Sequence, residues 1–219
     1  MSEFWQGILP LQHKGPESIQ EFLKQSYDIH NLIAGIKALT TSFTMDGLEQ
    51  CRRSLGGHGY CAYNAIPTLI ASHGMGTAGA GDNTVLSQQC ARYLVTSYNK
   101  ILGGKKLSGS VEYLNNWETI LKNGVSDKLN FKDPYEILAV LRYLSVKVII
   151  NAANLLTNDV SNGISMEDSW NNNMMQILYA STIHSILSIY ESFLKSVDSA
   201  TPSVKAIVTV KEFFLFNYL

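Results

Sequence analysis

The sequence predicts an all-α protein on three observations. Apolar residues recur at helical spacing over long stretches, capping residues mark helix starts, and no segment alternates β-branched and polar residues beyond a few positions. Ile29, Leu32, Ile33, Ile36, Leu39, Phe43 and Leu48 form the first apolar stripe. Ile137, Leu138, Leu141, Leu144, Val148, Ile149, Ala152, Leu155 and Leu156 form the second, and Met174, Ile177, Leu178, Ile183, Ile186, Leu187, Tyr190 and Leu194 the third. Stripes of this kind are core faces, and all three are read so.

The helix boundaries follow from local chemistry. Asp133-Pro134-Tyr135-Glu136 offers a side-chain acceptor at the cap, proline at the first helical position and a glutamate three residues on. Ser18-x-x-Glu21 and Ser165-x-x-Asp168 are weaker forms of this box, and Thr201-Pro202 is expected to open a last helix. Gly56-Gly57 and Gly103-Gly104 are stops, because glycine takes the left-handed conformation that ends a helix. The Gly- and Ser-rich "GGKKLSGS" places a linker at 104–110. It separates a lead-in (1–24) and first helical unit (25–103) from a second unit (111–219).

Composition narrows the function. Of 219 residues, 46% are hydrophobic and only 16% charged, where about 25% is usual. So few charges imply a well-covered core or an apolar surface meant for a partner. A net charge of −1 supplies no basic field for nucleic acid or anionic lipid. Cys51, Cys61 and Cys90 are odd in number and form no C-x-x-C pair, which favours free thiols and a reducing compartment. His13, His30, His58, His73 and His184 show no metal-ligand spacing, and each is expected to be an ordinary surface or core histidine. No apolar run reaches the roughly 18 residues of a membrane span. The start lacks a signal peptide, and the final "FNYL" is not a peroxisomal address. These features predict an intracellular, soluble chain.

"SHGMGTAGAGDNTV", Ser72 to Val85, contains the spelling G-x-G-x-x-G. A dinucleotide fingerprint also needs a preceding strand and an acid about 20 residues on. "AIPTLIASH" has a proline and no alternation, and no acid occurs from Asn83 to Ser110. The context therefore fails. Two readings of the residues stay open: an anion site at a helix N-terminus, or an entry loop without a ligand.

A family resemblance rests on longer motifs. "EQCRRSLGGHGY" (Glu49 to Tyr60), "GDNTV" and "ARYLV" behind it resemble the C-terminal part of the peroxisomal acyl-CoA oxidases, relatives of the acyl-CoA dehydrogenases. The likeness is strong over about residues 25 to 100, and "TPSVKAIVT" resembles the family's last helical segment. The family has an N-terminal helical domain, a flavin-binding β-barrel and two C-terminal helical domains, and the chain resembles the C-terminal helical half. Residues 25–103 then correspond to the flavin-adjacent helical domain and 111–219 to a truncated C-terminal helical domain.

The resemblance implies FAD as cofactor and fatty acyl-CoA as substrate. The family reaction is α,β-desaturation: a carboxylate takes the α-proton, flavin takes the hydride, and dioxygen is reduced to hydrogen peroxide. The base is the glutamate of T-[FY]-E-G-[DE]-N-T-V. Here Ala80 stands at that position and Gly79 at the aromatic one, so no catalytic residue is assigned, and no acid lies between Asn64 and Gly81. Asp82 matches the family's own acidic position and is expected to cap the following helix. Flavin contacts carried over are Gly56, Gly57, His58 and Gly59 in the G-G-H-G turn, and Gly81, Asp82 and Asn83. A helix stop followed by a tight turn accounts equally for the first group. No metal site is assigned.

The resemblance further implies a peroxisomal setting within fatty-acid β-oxidation, although no C-terminal address is visible; the cytoplasm is the alternative. It implies a homodimer, or a heteromer with a full-length oxidase. Whether the chain is an enzyme is left open. The expectation is an acyl-CoA oxidase-like chain inactive by itself, lacking the flavin barrel and the base. The alternative is a non-catalytic helical module that dimerises or regulates a full-length oxidase.

Overall fold

The first described helix, α1, covers Pro16–Ser54 without a break, and its glutamate, glutamine, leucine and lysine residues favour the helix. The computed structural model describes residues 16–125, 129–130 and 133–201. At about 1.5 Å per residue, the 39 residues of α1 reach roughly 58 Å. Ser18 is an internal position of α1, so its proposed box does not mark the start. Gly56 (φ +57°) takes the left-handed conformation and ends the helix, as the glycine pair predicts.

Two 3₁₀ turns, Gly56–Tyr60 and Ala62–Asn64, reverse the chain into α2 (Ile66–Ala78), and α3 follows at Asn83–Leu102. His73 on α2 meets the Thr41 carbonyl through Nε2 at 3.2 Å, and Asn83 bonds Thr41 and Ser42. Further along α3, Tyr93 donates to Asp28 Oδ1 at 2.6 Å. Both helices thus run back along α1 in succession, and residues 79–82 form the seam between them. Most of the glycine-rich stretch is not a loop, since Ser72–Ala78 belongs to α2. Its packing on α1 overrides the poor helix propensity of Gly74 and Gly76.

After α3 the chain turns through Gly103 and Gly104 (φ +77°) into a 3₁₀ segment, Gly109–Asn116. There Asp28 accepts from the Ser110 amide at 2.9 Å, and its carboxylate occupies the space that a Cβ at Gly109 would need. Leu107, Val111 and Leu114 drop from this stretch into the core. The remaining helices are α4 (Trp117–Asn123), α5 (Pro134–Ser161), α6 (Met166–Asn172) and α7 (Met174–Ser199). Asp133 caps α5 through the Tyr135 amide at 2.8 Å, and Ser165 caps α6 through the Asp168 amide at 3.0 Å, both as predicted. The helix expected at Thr201-Pro202 lies outside the described residues. No strand occurs among the described residues, and the fold is all-α.

α1, α3, α5 and α7 form a four-helix bundle. Tyr135 donates to Asp198 Oδ2 at 2.6 Å and Arg142 bonds Glu191 at 2.8 Å, which sets α5 and α7 antiparallel. Cys90, Leu94, Leu114, Val146, Ile149 and Ala180 fill its centre. The second and third stripes supply core residues as expected. The first does not: none of its residues is buried, the fully buried face of α1 is Asn31, Ala34, Gly35 and Ala38, and Ile33 and Phe43 are exposed. Close approach explains this, since a Cβ on Gly35 would lie 2.5 Å from Ser185 Oγ and 2.9 Å from Cys90 Sγ. Small residues take the contact, and the larger ones are pushed to its sides.

Candidate functional site

The seam between α2 and α3 carries position 80. Gly79 is extended (φ −64°, ψ 144°), Ala80 is left-handed (φ +58°), Gly81 has φ +106°, and Asp82 is extended again. Asp82 Oδ1 accepts from the amides of Thr84 at 2.9 Å and Val85 at 3.3 Å, so it caps α3 as the sequence predicts. That carboxylate is occupied with the helix terminus. Ala80 is exposed and presents only a methyl group.

The loop is firmly tied to α1. Lys37 Nζ donates to Gly81 O at 2.6 Å, Asn83 Oδ1 at 2.9 Å and Thr77 O at 3.3 Å. Asn83 also donates from Nδ2 to Thr41 Oγ1 at 2.9 Å and to Ser42 Oγ at 2.8 Å. A Cβ on Gly79 would meet the Met75 carbonyl oxygen at 2.8 Å, and one on Gly81 would press Leu86 at 3.0 Å. This backbone therefore does not accept an aromatic side chain at 79 without shifting.

The G-G-H-G residues sit elsewhere, at the far end of α2. Thirteen residues of helix, about 20 Å, separate them from Gly81–Asn83. Each glycine has its own local reason. Gly59 is buried, and the Arg52 carbonyl occupies the place of its missing side chain. Gly56 needs its positive φ, whereas Gly57 faces open space and has no positive φ. His58 is exposed and meets Tyr63 Oη through Nδ1 at 2.5 Å. Arg52 is ion-paired with Glu49 and lies 4.3 Å over the Tyr60 ring.

These residues fit FAD only in part. Gly56 and Gly57 leave backbone open to an approaching group. Asp82 commits Oδ1 to the helix cap, and the Asn83 amide is bonded within the fold through both its oxygen and its nitrogen. Reading the sequence alone missed Lys37, whose role depends on a contact across 44 positions. It also missed a cleft of about 360 Å³ next to the seam. Asp46, Ser42, Leu39 and Phe43 of α1 line that cleft with Asn83 and Thr84 of α3 and Leu178 of α7. Among the described residues no cluster could hold a metal ion, and no helix is long and apolar enough to cross a membrane.

Known proteins match across this architecture. The family model for the acyl-CoA oxidase C-alpha1 domain covers residues 7–95, and that for acyl-CoA oxidase covers residues 133–217. Peroxisomal acyl-coenzyme A oxidase 1 of Mus musculus is 32% identical over 77% of this chain and 26% of its own length. The Homo sapiens protein of that name is 29% identical over 88% and 31%. Among solved structures, an acyl-CoA oxidase from tomato superposes with a TM-score of 0.76 at 27% identity, covering 84% of this chain and 28% of that one. Acyl-CoA oxidase-2 of Caenorhabditis elegans, bound with FAD, ascaroside-CoA and ATP, gives 0.72 at 28% identity, over 85% and 27%. The chain thus spans less than a third of the relatives it matches. With two family models on its two parts and the helical fold shared over most of its length, the chain belongs to the acyl-CoA oxidase family and covers a helical portion of it.

Proposed function

We propose that this chain supplies helical framework to FAD-dependent acyl-CoA oxidation in peroxisomal fatty-acid breakdown and has no oxidase activity by itself. One observation carries the reading: at the position corresponding to the family's base stands Ala80, and the neighbouring Asp82 carboxylate is engaged as a helix cap. A base must first be within reach of its proton, and losing one typically costs about 10²–10⁴-fold in rate. FAD, where bound, supplies the hydride acceptor. In this chain the open backbone of Gly56 and Gly57 favours a place beside that group, and Asn83 serves to set the loop. Purified chain given FAD and palmitoyl-CoA is expected to release no hydrogen peroxide above background, and peroxide formation would overturn the reading.

A second observation favours a partner. The stretch around α2 exposes Leu55, Tyr60, Tyr63, Leu69 and Met75, and α2 has no buried residue at all. Apolar surface on this scale marks an interaction site. The partner is a second copy or a full-length oxidase. Sedimentation alone and with the mouse relative tests this, and a monomer at micromolar concentration that ignores the relative would count against it.

A further inference from the structure

We propose that Lys37 is the positioning residue that holds Ala80 in the left-handed conformation at the seam. The ammonium has three hydrogens and meets three oxygens from three different parts: Thr77 in the last turn of α2, Gly81 in the loop, and Asn83 at the head of α3. The charge also faces the negative end of α2, where helix carbonyls lack intrahelical partners. Of these bonds the one to Gly81 O is the shortest, at 2.6 Å. Drawing that carbonyl toward α1 fixes the peptide plane after Gly81, and the Asp82 cap fixes the chain immediately beyond. On the other side the Gly79 amide is held to Met75 O at 2.6 Å. Ala80 must close the gap between these fixed ends, and it does so at φ +58°. That conformation is unfavourable for any residue with a Cβ. Two facts imply that the strain is imposed from outside residue 80. Its side chain is an exposed methyl group that gains nothing there, and its neighbours are anchored on both sides.

The proposal rests on the reading of position 80 as the family's base position only for its meaning, and its physics stands independently. Because Lys37 contacts Thr77, Gly81 and Asn83, a coupling between Lys37 and residue 80 reports transmitted strain. The test is a double-mutant cycle in the full chain, read by denaturant unfolding. In the native background Ala80→Gly should raise the folding equilibrium constant about twofold to fivefold by relieving the left-handed strain. In Lys37→Met the gain should vanish, because the loop relaxes and alanine no longer bears a cost. An equal gain in both backgrounds, or none in the native one, overturns the proposal. A second readout is the backbone torsion of Ala80 from NMR scalar couplings in Lys37→Met and Lys37→Gln. Loss of the positive φ is expected, with Lys37→Arg restoring it in part, and its retention in either variant refutes the assignment. Neither readout depends on oxidase activity, so the outcome is separate from that of the peroxide assay.

Discussion

Residues 39–89 and the bundle that follows differ sharply in what they bury. Across those 51 positions only Gly59 is buried, whereas α3 alone buries Cys90, Ala91, Tyr93, Leu94, Ser97 and Tyr98. Both regions are helical, and they share the long α1. The bundle is stabilised by its own packed interior. The arm made by the second half of α1, the G-G-H-G turn and α2 is held by caps, tight turns and polar ties such as Lys37, with apolar side chains left outward. Regular secondary structure and a self-sufficient core are therefore separate properties: most of the described residues have the first, and only the bundle has the second.

The largest expected contrast comes from truncating one leucine in each region. Leu94→Ala removes a fully buried side chain from the bundle centre and should cost about 2–5 kcal/mol. Leu69→Ala, on the exposed arm, should stay within about 0.5 kcal/mol. Urea unfolding of both variants measures the difference, and similar losses would erase the distinction.

Acid should act on the bundle through His184. This imidazole is buried, shares the Tyr113 hydroxyl with Ser145 through Nδ1 at 2.9 Å, and has Nε2 without a partner. Burial pushes it down to about 4, against a weaker upward pull from Asp28 on α1. Cys90 of α3 and Glu191 of α7 are the other titratable groups that act on the adjoining Tyr113 hydroxyl. An unfolded chain takes up this proton below about pH 6.5, while the native bundle refuses it until about pH 4. Stability is thus full above that window and falls as pH drops through it, by roughly 3 kcal/mol at most. Thermal unfolding from pH 7 to 4.5 should show a slope that flattens in His184→Gln. An unchanged slope would mean that the bundle's acid sensitivity lies elsewhere.

Glycine substitutions sharpen the comparison at smaller scale. Gly35→Ala drives a methyl into Ser185 and Cys90 and should cost about 1–3 kcal/mol. Gly74→Ala, within α2 and facing open space, should instead stabilise by about 0.5–1 kcal/mol. Paired midpoints from denaturant curves check the opposite signs.

Local chemistry was the part most legible in the sequence. Asp82, Asp133 and Ser165 cap the helices they precede, because a cap depends only on residues two or three positions away. The α5 and α7 stripes were legible too, since these helices bury large apolar faces. The buried face of α1 was not. There Gly35 lets α7 come close, and the small neighbours Ala34 and Ala38 carry no hydrophobic signal of their own. α2 was hidden behind glycines that signal turns locally and become helical only against α1. At the candidate site, the Asp82 cap was legible in the sequence. Lys37 could not be foreseen, because nothing near residue 37 refers to a carbonyl 44 positions away.

The close contact between Gly79 and the Met75 carbonyl bears on how this lineage can change. On the proposed reading of position 80, a carboxylate introduced there would arrive in a loop whose preceding residue takes a side chain only with a backbone shift, and an aromatic arriving first would strain the helix end. Neither step helps unless the backbone has already been remodelled. Selection acting one mutation at a time therefore meets a barrier here: even alanine at 79 or 81 would press on the Met75 carbonyl or Leu86, so on that reading a proton-abstracting site requires several changes together.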